Sequence, residues 1–478
     1  MTDQTTPVPD LRMRGLPRLV ETPGFLEEIR GGWAREVRSP RLVAGAATAA
    51  AVHRSRLAQA LPGRVIVVGS GKSPVRNDDC HYEFRAHSDF LWLLEAPIER
   101  AVLVIRTGAG TADATLFTPP PAGPGDTGFF SDATYGELWT GPVPGLADWG
   151  TALGVEVQPI DKLAGSLAAE SDVLVGGYVE ESDLGAVRRG DSSVLGETLS
   201  RLRMVKDEWE IAQLRAAVDL TVSGFCAVAA EVPTAVRSGG ERWLQGTFNR
   251  HARTFGNDVG YGTIVATGRN AAVLHWTRCD SALGEQDALL LDMGVEEKSF
   301  YTADVTRTIP VSGTFTPEQR MVHDLVEKSH RAGLDAVRPG RTFLDFHHRC
   351  MEVIAQGLAD WDLLSVSVDE ALSRDGQQHR RFIVCGIGHH LGLDVHDCSA
   401  STVADYQEAT LLPGMALTVE PGLYFHANDE KVPPELRGIG VRIEDDLVVT
   451  ESGIDILSDA LPINAAQLER WTTEQFAR

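Results

Sequence analysis

The sequence predicts an α/β domain followed by a larger α+β domain. Three observations lead there. Between residues 61 and 200, short apolar runs alternate with turns rich in glycine and proline. From residue 201 onward, long stretches with helical periodicity interleave with strand-like runs. The chain has 478 residues, 43% of them hydrophobic and 23% charged, which is enough for two or three globular domains.

Residues 1–60 hold a polar start and then arginine- and alanine-rich segments, read as an N-terminal helical extension packed on the amino domain. Their basic excess reads as a solvated helix face, with an oligomer contact as the sharper alternative. RVIVVGSG (64–71), DFLWLL (89–94), RAVLVIRT (100–107), ATLFTP (114–119) and SDVLVGGYV (171–179) read as strands, and PPPAGPGDTG (119–128) as a loop. VIVVGSGKSP resembles a phosphate loop only superficially. That motif needs glycine five positions before the glycine of GKS, and Ile66 stands there. A strand followed by a turn explains the stretch.

SVLGETLSRLRMV (193–205) leads out of this region. In the stretch 206–232, Ile211, Leu214, Val218, Val222 and Phe225 recur at helical spacing behind an Asp207–Glu210 capping pair. Thr316-Pro317-Glu318-Gln319 opens a second long helix, and 341–358 forms a third. Between and after them lie the strand-like runs ALLLDMG (288–294), ADVTRTIPV (303–311), MALTVEPGLY (415–424) and GVRIEDDLVVT (440–450).

The formal net charge of −23 argues against nucleic acid as a partner. No window holds 18 uninterrupted apolar residues, so no membrane-spanning helix is expected. The start, MTDQTTPVPD, lacks the basic-then-apolar pattern of a secretory signal. Six cysteines are scattered without a CxxC pair and read as reduced thiols, so a cytoplasmic protein is expected.

The chemistry lies in acidic residues set among apolar ones. Asp292, Glu420 and Glu444 sit within or at the ends of β-branched or leucine-rich runs, and Asp304 opens another. A buried carboxylate there needs a cation or it neutralises. Lysines are few, and only Arg442 and Arg307 lie near in sequence. Taken singly, each acid reads as a turn or cap residue, and each nearby histidine as a packed or surface residue. Taken together, four carboxylates are balanced by two divalent metal ions. Carboxylate oxygens plus one imidazole form a hard ligand set that suits Mn²⁺, and less exclusively Co²⁺, Zn²⁺ or Fe²⁺. Such a pair activates water for hydrolysis. The HExxH motif of single-zinc proteases is absent.

On these flanks the order Asp, Asp, His, Glu, Glu resembles the pita-bread metallopeptidases. DMGVEEKSFYTADVTRT, GIGHHLGLDVHD, TVEPGLY and GVRIEDDLVVT resemble specifically the aminopeptidase P (Xaa-Pro aminopeptidase) and prolidase branch. CHYEFRAHSDFLWLLEAPIERAVLVI is similar to the creatinase-like amino domain of that branch. The resemblance implies a creatinase-like α/β domain over 61–200 and a pita-bread catalytic domain over 201–478. It implies that Asp292 chelates one metal, that Asp304 and Glu444 bridge both, and that His389 and Glu420 complete the other site. His275, His396 and Arg442 match residues that handle substrate, and Glu420 is also a candidate general base or proton relay.

The implied reaction releases the N-terminal residue of a peptide whose second residue is proline. A metal-bridging hydroxide attacks the carbonyl of the first residue. A prolidase-type Xaa-Pro dipeptidase is the alternative. A non-catalytic pita-bread binding module is the rival from another class, disfavoured because all five ligand positions are filled. Dimers or tetramers are usual in this branch, so a homodimer or homotetramer is expected, with the amino domain supporting self-association. One departure stands out. Many relatives carry histidine four residues before the metal-binding His389, where this chain has Cys385. It reads as a small buried residue ahead of a soft extra ligand. His390 reads equally as pocket lining or as packing.

Overall fold

The computed structural model describes residues 15–34 and 38–477. Residues 1–14 and 35–37, which fall in the expected helical extension, lie outside the described residues. The chain divides into two compact units, Met1–Leu195 and Gly196–Arg478. The expected boundary at residue 200 falls inside the helix Ser193–Met204.

The first unit is built on a five-stranded sheet in the order Glu156–Pro159, Ala112–Thr118, Val102–Thr107, Val65–Ser70, Leu174–Tyr178. The three central strands pair antiparallel, and the two outer strands each add in parallel. Parallel addition requires a crossover connection rather than a hairpin. The helix Ala46–Ala60 belongs to this unit's core, where His53 stacks on Trp92 at 4.4 Å and its Nδ1 lies 2.7 Å from the Trp92 carbonyl oxygen. Gly69 in the GSGKS stretch serves packing. A Cβ there would meet the Tyr178 carbonyl oxygen of the neighbouring strand at 2.2 Å.

One strand expectation fails. DFLWLL is a helix, Ser88–Leu94, capped by the His87 ring, which accepts a hydrogen bond from the Asp89 amide. Phe90 through Leu94 are all buried, so no alternation distinguishes strand from helix. The edge strand Glu156–Pro159, sequence EVQP, was not expected, because a partly exposed edge carries no apolar run.

In the second unit the helices open as the sequence predicts. Glu208–Ala230 and Pro317–Ala336 both begin with complete capping boxes, Asp207 with Glu210 and Thr316 with Gln319. The third expected helix is Phe343–Asp360. Glu208–Ala230 is long and apolar enough to cross a membrane by length and composition. Its buried Leu214, Val218 and Phe225 are packed as a core helix requires.

Three antiparallel strands run in the order Val305–Pro310, Ala288–Met293, Ile264–Thr267, and a second sheet in the order Ala416–Val419, Asp445–Val449, Ile454–Ile456. Gly422–Tyr424 pairs with Gly440–Arg442, and an isolated bridge joins Thr306 to Glu444. Strand periodicity then sorts the side chains. Leu289, Leu291 and Met293 share a core with Val305 and Ile309. Asp292 therefore points to the opposite face, as do Asp304, Thr306 and Thr308. Val441 and Ile443 enter another core, which sends Arg442 and Glu444 the other way. Asp292, Asp304 and Glu444 share one focus because each holds a position, within or next to a strand, that alternates with residues facing away from it.

Candidate metal centre

Asp292 is at the end of its strand and registers with Thr306. Asp304 lies just before the strand Val305–Pro310 and Glu444 just before Asp445–Val449. His389 is fixed from both sides by Thr418, whose amide donates to the His389 carbonyl at 2.9 Å and whose Oγ1 accepts the His389 amide at 3.1 Å. Two residues further along, that same strand delivers Glu420. Gly388 has no room for a side chain, since a Cβ would meet the Thr418 carbonyl oxygen at 2.1 Å.

These five side chains converge. His389 Nε2 lies 3.2 Å from Asp304 Oδ2, 3.6 Å from Glu420 Oε1 and 4.0 Å from Glu444 Oε1. Asp292 joins the group through Tyr261, whose hydroxyl lies 2.6 Å from Asp292 Oδ1 and 2.5 Å from Asp304 Oδ1. Arg442 Nη2 pairs with the other Asp292 oxygen, while Nη1 donates to Tyr424 at 3.0 Å and Nε to Thr306 Oγ1 at 3.1 Å. The Thr306 hydroxyl donates to Glu444 Oε2 at 2.6 Å.

The protein's own groups do not balance this cluster. Burial, aided by Asp304 against the pull of Arg442, raises Asp292 to about 6. Burial raises Glu420 to about 7, although His389 and Arg442 pull it down. Burial and then Asp304 push Glu444 well above the usual carboxylate range. For His389, burial works against the charged form, but Asp304 and Glu420 outweigh it and lift the ring to about 9. Glu444 Oε1 is buried with no hydrogen-bond partner. An unpaired carboxylate oxygen among three other acids and one imidazole is the donor set that fits divalent cations. A second group of ligand types, His323, Asp324 and Glu327, differs: Arg331 Nε already meets Glu327 at 2.9 Å.

The remaining expected site residues lie around this cluster. Arg442 touches it directly. His396 is exposed and packs edge-on against His389, with ring centroids 4.5 Å apart. His275 is exposed on a turn, near enough for its charge to act on His396. Cys385 is half-buried, and burial followed by the Glu420 charge raises its thiol. His390 is a packing residue: it is buried, its ring stands edge-on to Tyr406 at 4.6 Å, and its amide donates to the Tyr406 hydroxyl.

Sequence reasoning missed Tyr261, Thr306 and Asp446. Asp446 Oδ2 accepts the Asp304 amide at 2.9 Å. The available signal for Tyr261 was its setting, Gly-Tyr-Gly. A Cβ on Gly260 would meet Thr302 Oγ1 at 1.7 Å, so the backbone comes against its neighbour there and the phenol reaches the acids. Tyr261→Phe is expected to weaken cation binding about 10- to 100-fold, the usual effect of losing a group that orients ligands. Calorimetric Mn²⁺ titration checks this, and an unchanged isotherm would remove Tyr261 from the site.

The chain is similar to known proteins over most of its length. Residues 212–451 match metallopeptidase family M24, and residues 50–173 match the aminopeptidase P N-terminal domain. The chain is 44% identical over 449 residues to Xaa-Pro aminopeptidase 2 of Streptomyces coelicolor, covering 93% of this chain and 94% of that protein. It is 31% identical over 434 residues to the Xaa-Pro aminopeptidase of Escherichia coli, covering 86% and 94% respectively. The structure of Escherichia coli aminopeptidase P with the inhibitor Pro-Leu superposes with a TM-score of 0.79 at 27% identity, covering 92% of this chain and 100% of that one.

Proposed function

We propose, on the premise that this chain belongs to metallopeptidase family M24 and carries an aminopeptidase P N-terminal domain, that Asp292, Asp304, His389, Glu420 and Glu444 hold two divalent cations for proline-specific aminopeptidase chemistry. The enzyme is a hydrolase that releases the first residue of peptides with proline second. The convergence of five side chains around His389 Nε2 and Tyr261 is the observation that carries the metal reading.

Two bound cations supply an activated water and polarise the substrate carbonyl. The chain's own residues do the rest. Asp304 and Glu444, both within 4.0 Å of His389 Nε2, would hold the cations together with it, and Arg442 holds Asp292 in place while offsetting one negative charge. Glu420, the half-buried member of the set, is the candidate proton carrier between water and the departing amine. His396 and His275, both exposed on the solvent side, receive the peptide. The oxygen-rich ligand set favours Mn²⁺, with Co²⁺, Zn²⁺ and Fe²⁺ as alternatives.

The test compares Xaa-Pro-Yaa with Xaa-Pro after chelation and Mn²⁺ add-back. Tripeptide cleavage is expected to vanish on chelation, return with Mn²⁺, and exceed dipeptide cleavage. Cleavage of the dipeptide alone would identify a prolidase. Rates indifferent to chelation would end the metal reading.

A further inference from the structure

The loop from His390 to Asp397 carries His396 to its place beside His389. Its base is closed by the Asp397 amide donating to the His390 carbonyl at 2.9 Å. The Leu391 amide adds a bond to the Ala416 carbonyl at 3.1 Å. Beneath the loop lies a buried charge cluster. Asp397 Oδ2 accepts from Lys206 Nζ at 3.0 Å, and Oδ1 pairs with Arg203. Arg203 also reaches Asp394 Oδ2 at 3.1 Å, and Lys206 Nζ donates to the Arg203 carbonyl at 2.5 Å. Lys206, Arg203 and Asp397 are each buried. The loop is moulded on this pair: a Cβ on Gly392 would meet Asp397 Oδ2 at 2.1 Å and Lys206 Nζ at 2.9 Å.

Lys206 is also tied to the catalytic strands. Its amide donates to the Gly414 carbonyl at 2.9 Å, and Val205 bridges to Met415, immediately before the strand that leads to Glu420. Beyond it, the capping residue Glu210 accepts from the Tyr301 hydroxyl at 2.8 Å, and the Thr302 amide donates to the Gly392 carbonyl at 2.9 Å. One short segment, 203–210, therefore grips the His396 loop, the Glu420 strand and the approach to Asp304. Lysine is scarce here, at six of 44 basic residues, and this one is buried. A buried lysine is costly to desolvate, so its place beneath a loop that carries an exposed histidine calls for a reason beyond solubility.

We propose that Lys206 is a positioning residue that, through Asp397, sets His396 over His389 for substrate. The inference rests on the reading of His396 as a substrate-side residue, and the test separates the two. Lys206→Met leaves Arg203 to compensate Asp397, so the fold persists while Asp397 loses one of its two cationic partners. With Mn²⁺-loaded protein and an Xaa-Pro-Yaa substrate, this variant is expected to lose about tenfold or more in kcat/KM while keeping its bound metal, since small misplacements of a reacting group cost that much. His396→Ala alone is expected to lose activity as well.

The double variant Lys206→Met/His396→Ala is expected to be no worse than His396→Ala, and Lys206→Arg to recover part of the loss. Asp397→Asn repeats the cycle should Lys206→Met fold poorly. Losses that multiply in the double variant would overturn the positioning role while sparing His396. Lys206→Met with wild-type kcat/KM would overturn it too. A silent His396→Ala would overturn the reading of His396, and the positioning role with it.

Discussion

Replacing Glu444 with glutamine is expected to abolish turnover. The substitution keeps the shape of the side chain and leaves an oxygen for the Thr306 hydroxyl, which now donates at 2.6 Å to Oε2. It removes the charge and puts an amide where Oε1 stands, buried, unpartnered and 4.0 Å from His389 Nε2. An amide cannot balance cation charge, and its NH₂ end repels a cation. Stabilisation at a metal centre amounts to several kcal/mol, and about 1.4 kcal/mol is a factor of ten, so kcat/KM is expected to fall by about three orders of magnitude or more. Bound metal, measured on the same preparation, falls with it. Asp304→Ala, which removes the carboxylate nearest His389, should behave alike. A variant at either position that retains both metal and activity would exclude a bridging role there.

Why these acids stood out in the sequence, while their supports did not, is a matter of chemistry and distance. A carboxylate inside LLLDMG or VRIEDD contradicts its apolar neighbours, and that contradiction is visible locally. Strand alternation then settles which neighbours share its face. The capping boxes at Asp207 and Thr316 were equally visible, because both partners lie within one turn. The helix Ser88–Leu94 was misread for the opposite reason: a short run buried on all sides has no period to read. Tyr261, Arg307 and Lys206 are ordinary residues in their own segments. Their roles come from partners 43, 154 and 191 positions away, which their own segments do not identify. The motifs thus named the ligand candidates, and the fold supplied what holds them.

Arg307 is the strongest of those supports, and Arg307→Met is expected to cost about 3–5 kcal/mol of stability, the range for breaking a buried ion pair on one side. Arg307 is on the reverse face of the strand from Thr306, fully buried. Its five N–H donors meet five acceptors: Nε on the Pro462 carbonyl at 3.1 Å, Nη1 on the Thr306 and Glu444 carbonyls at 3.0 and 2.6 Å, and Nη2 on Asp445 Oδ1 and the Leu461 carbonyl at 2.6 and 2.9 Å. Removing it takes the cation from Asp445, leaving the Ser458 hydroxyl on Oδ1 at 2.6 Å and His330 Nε2 at 3.3 Å from the other oxygen, and takes a donor from four buried carbonyls. Lysine offers three donors on a point charge and cannot span this set, so Arg307→Lys is expected to recover less than half of the loss. Because Nη1 grips the Glu444 carbonyl, the variant should also bind metal more weakly than its folded fraction alone accounts for. Adding Asp445→Asn to Arg307→Met removes the buried charge that has lost its guanidinium and is expected to return part of the stability. Denaturant unfolding at fixed metal concentration reads the three stability effects, and a metal titration of the folded protein reads the fourth. An Arg307→Met protein within about 1 kcal/mol of wild type would mean that water replaces the guanidinium at little cost, and that the metal strands are held from elsewhere.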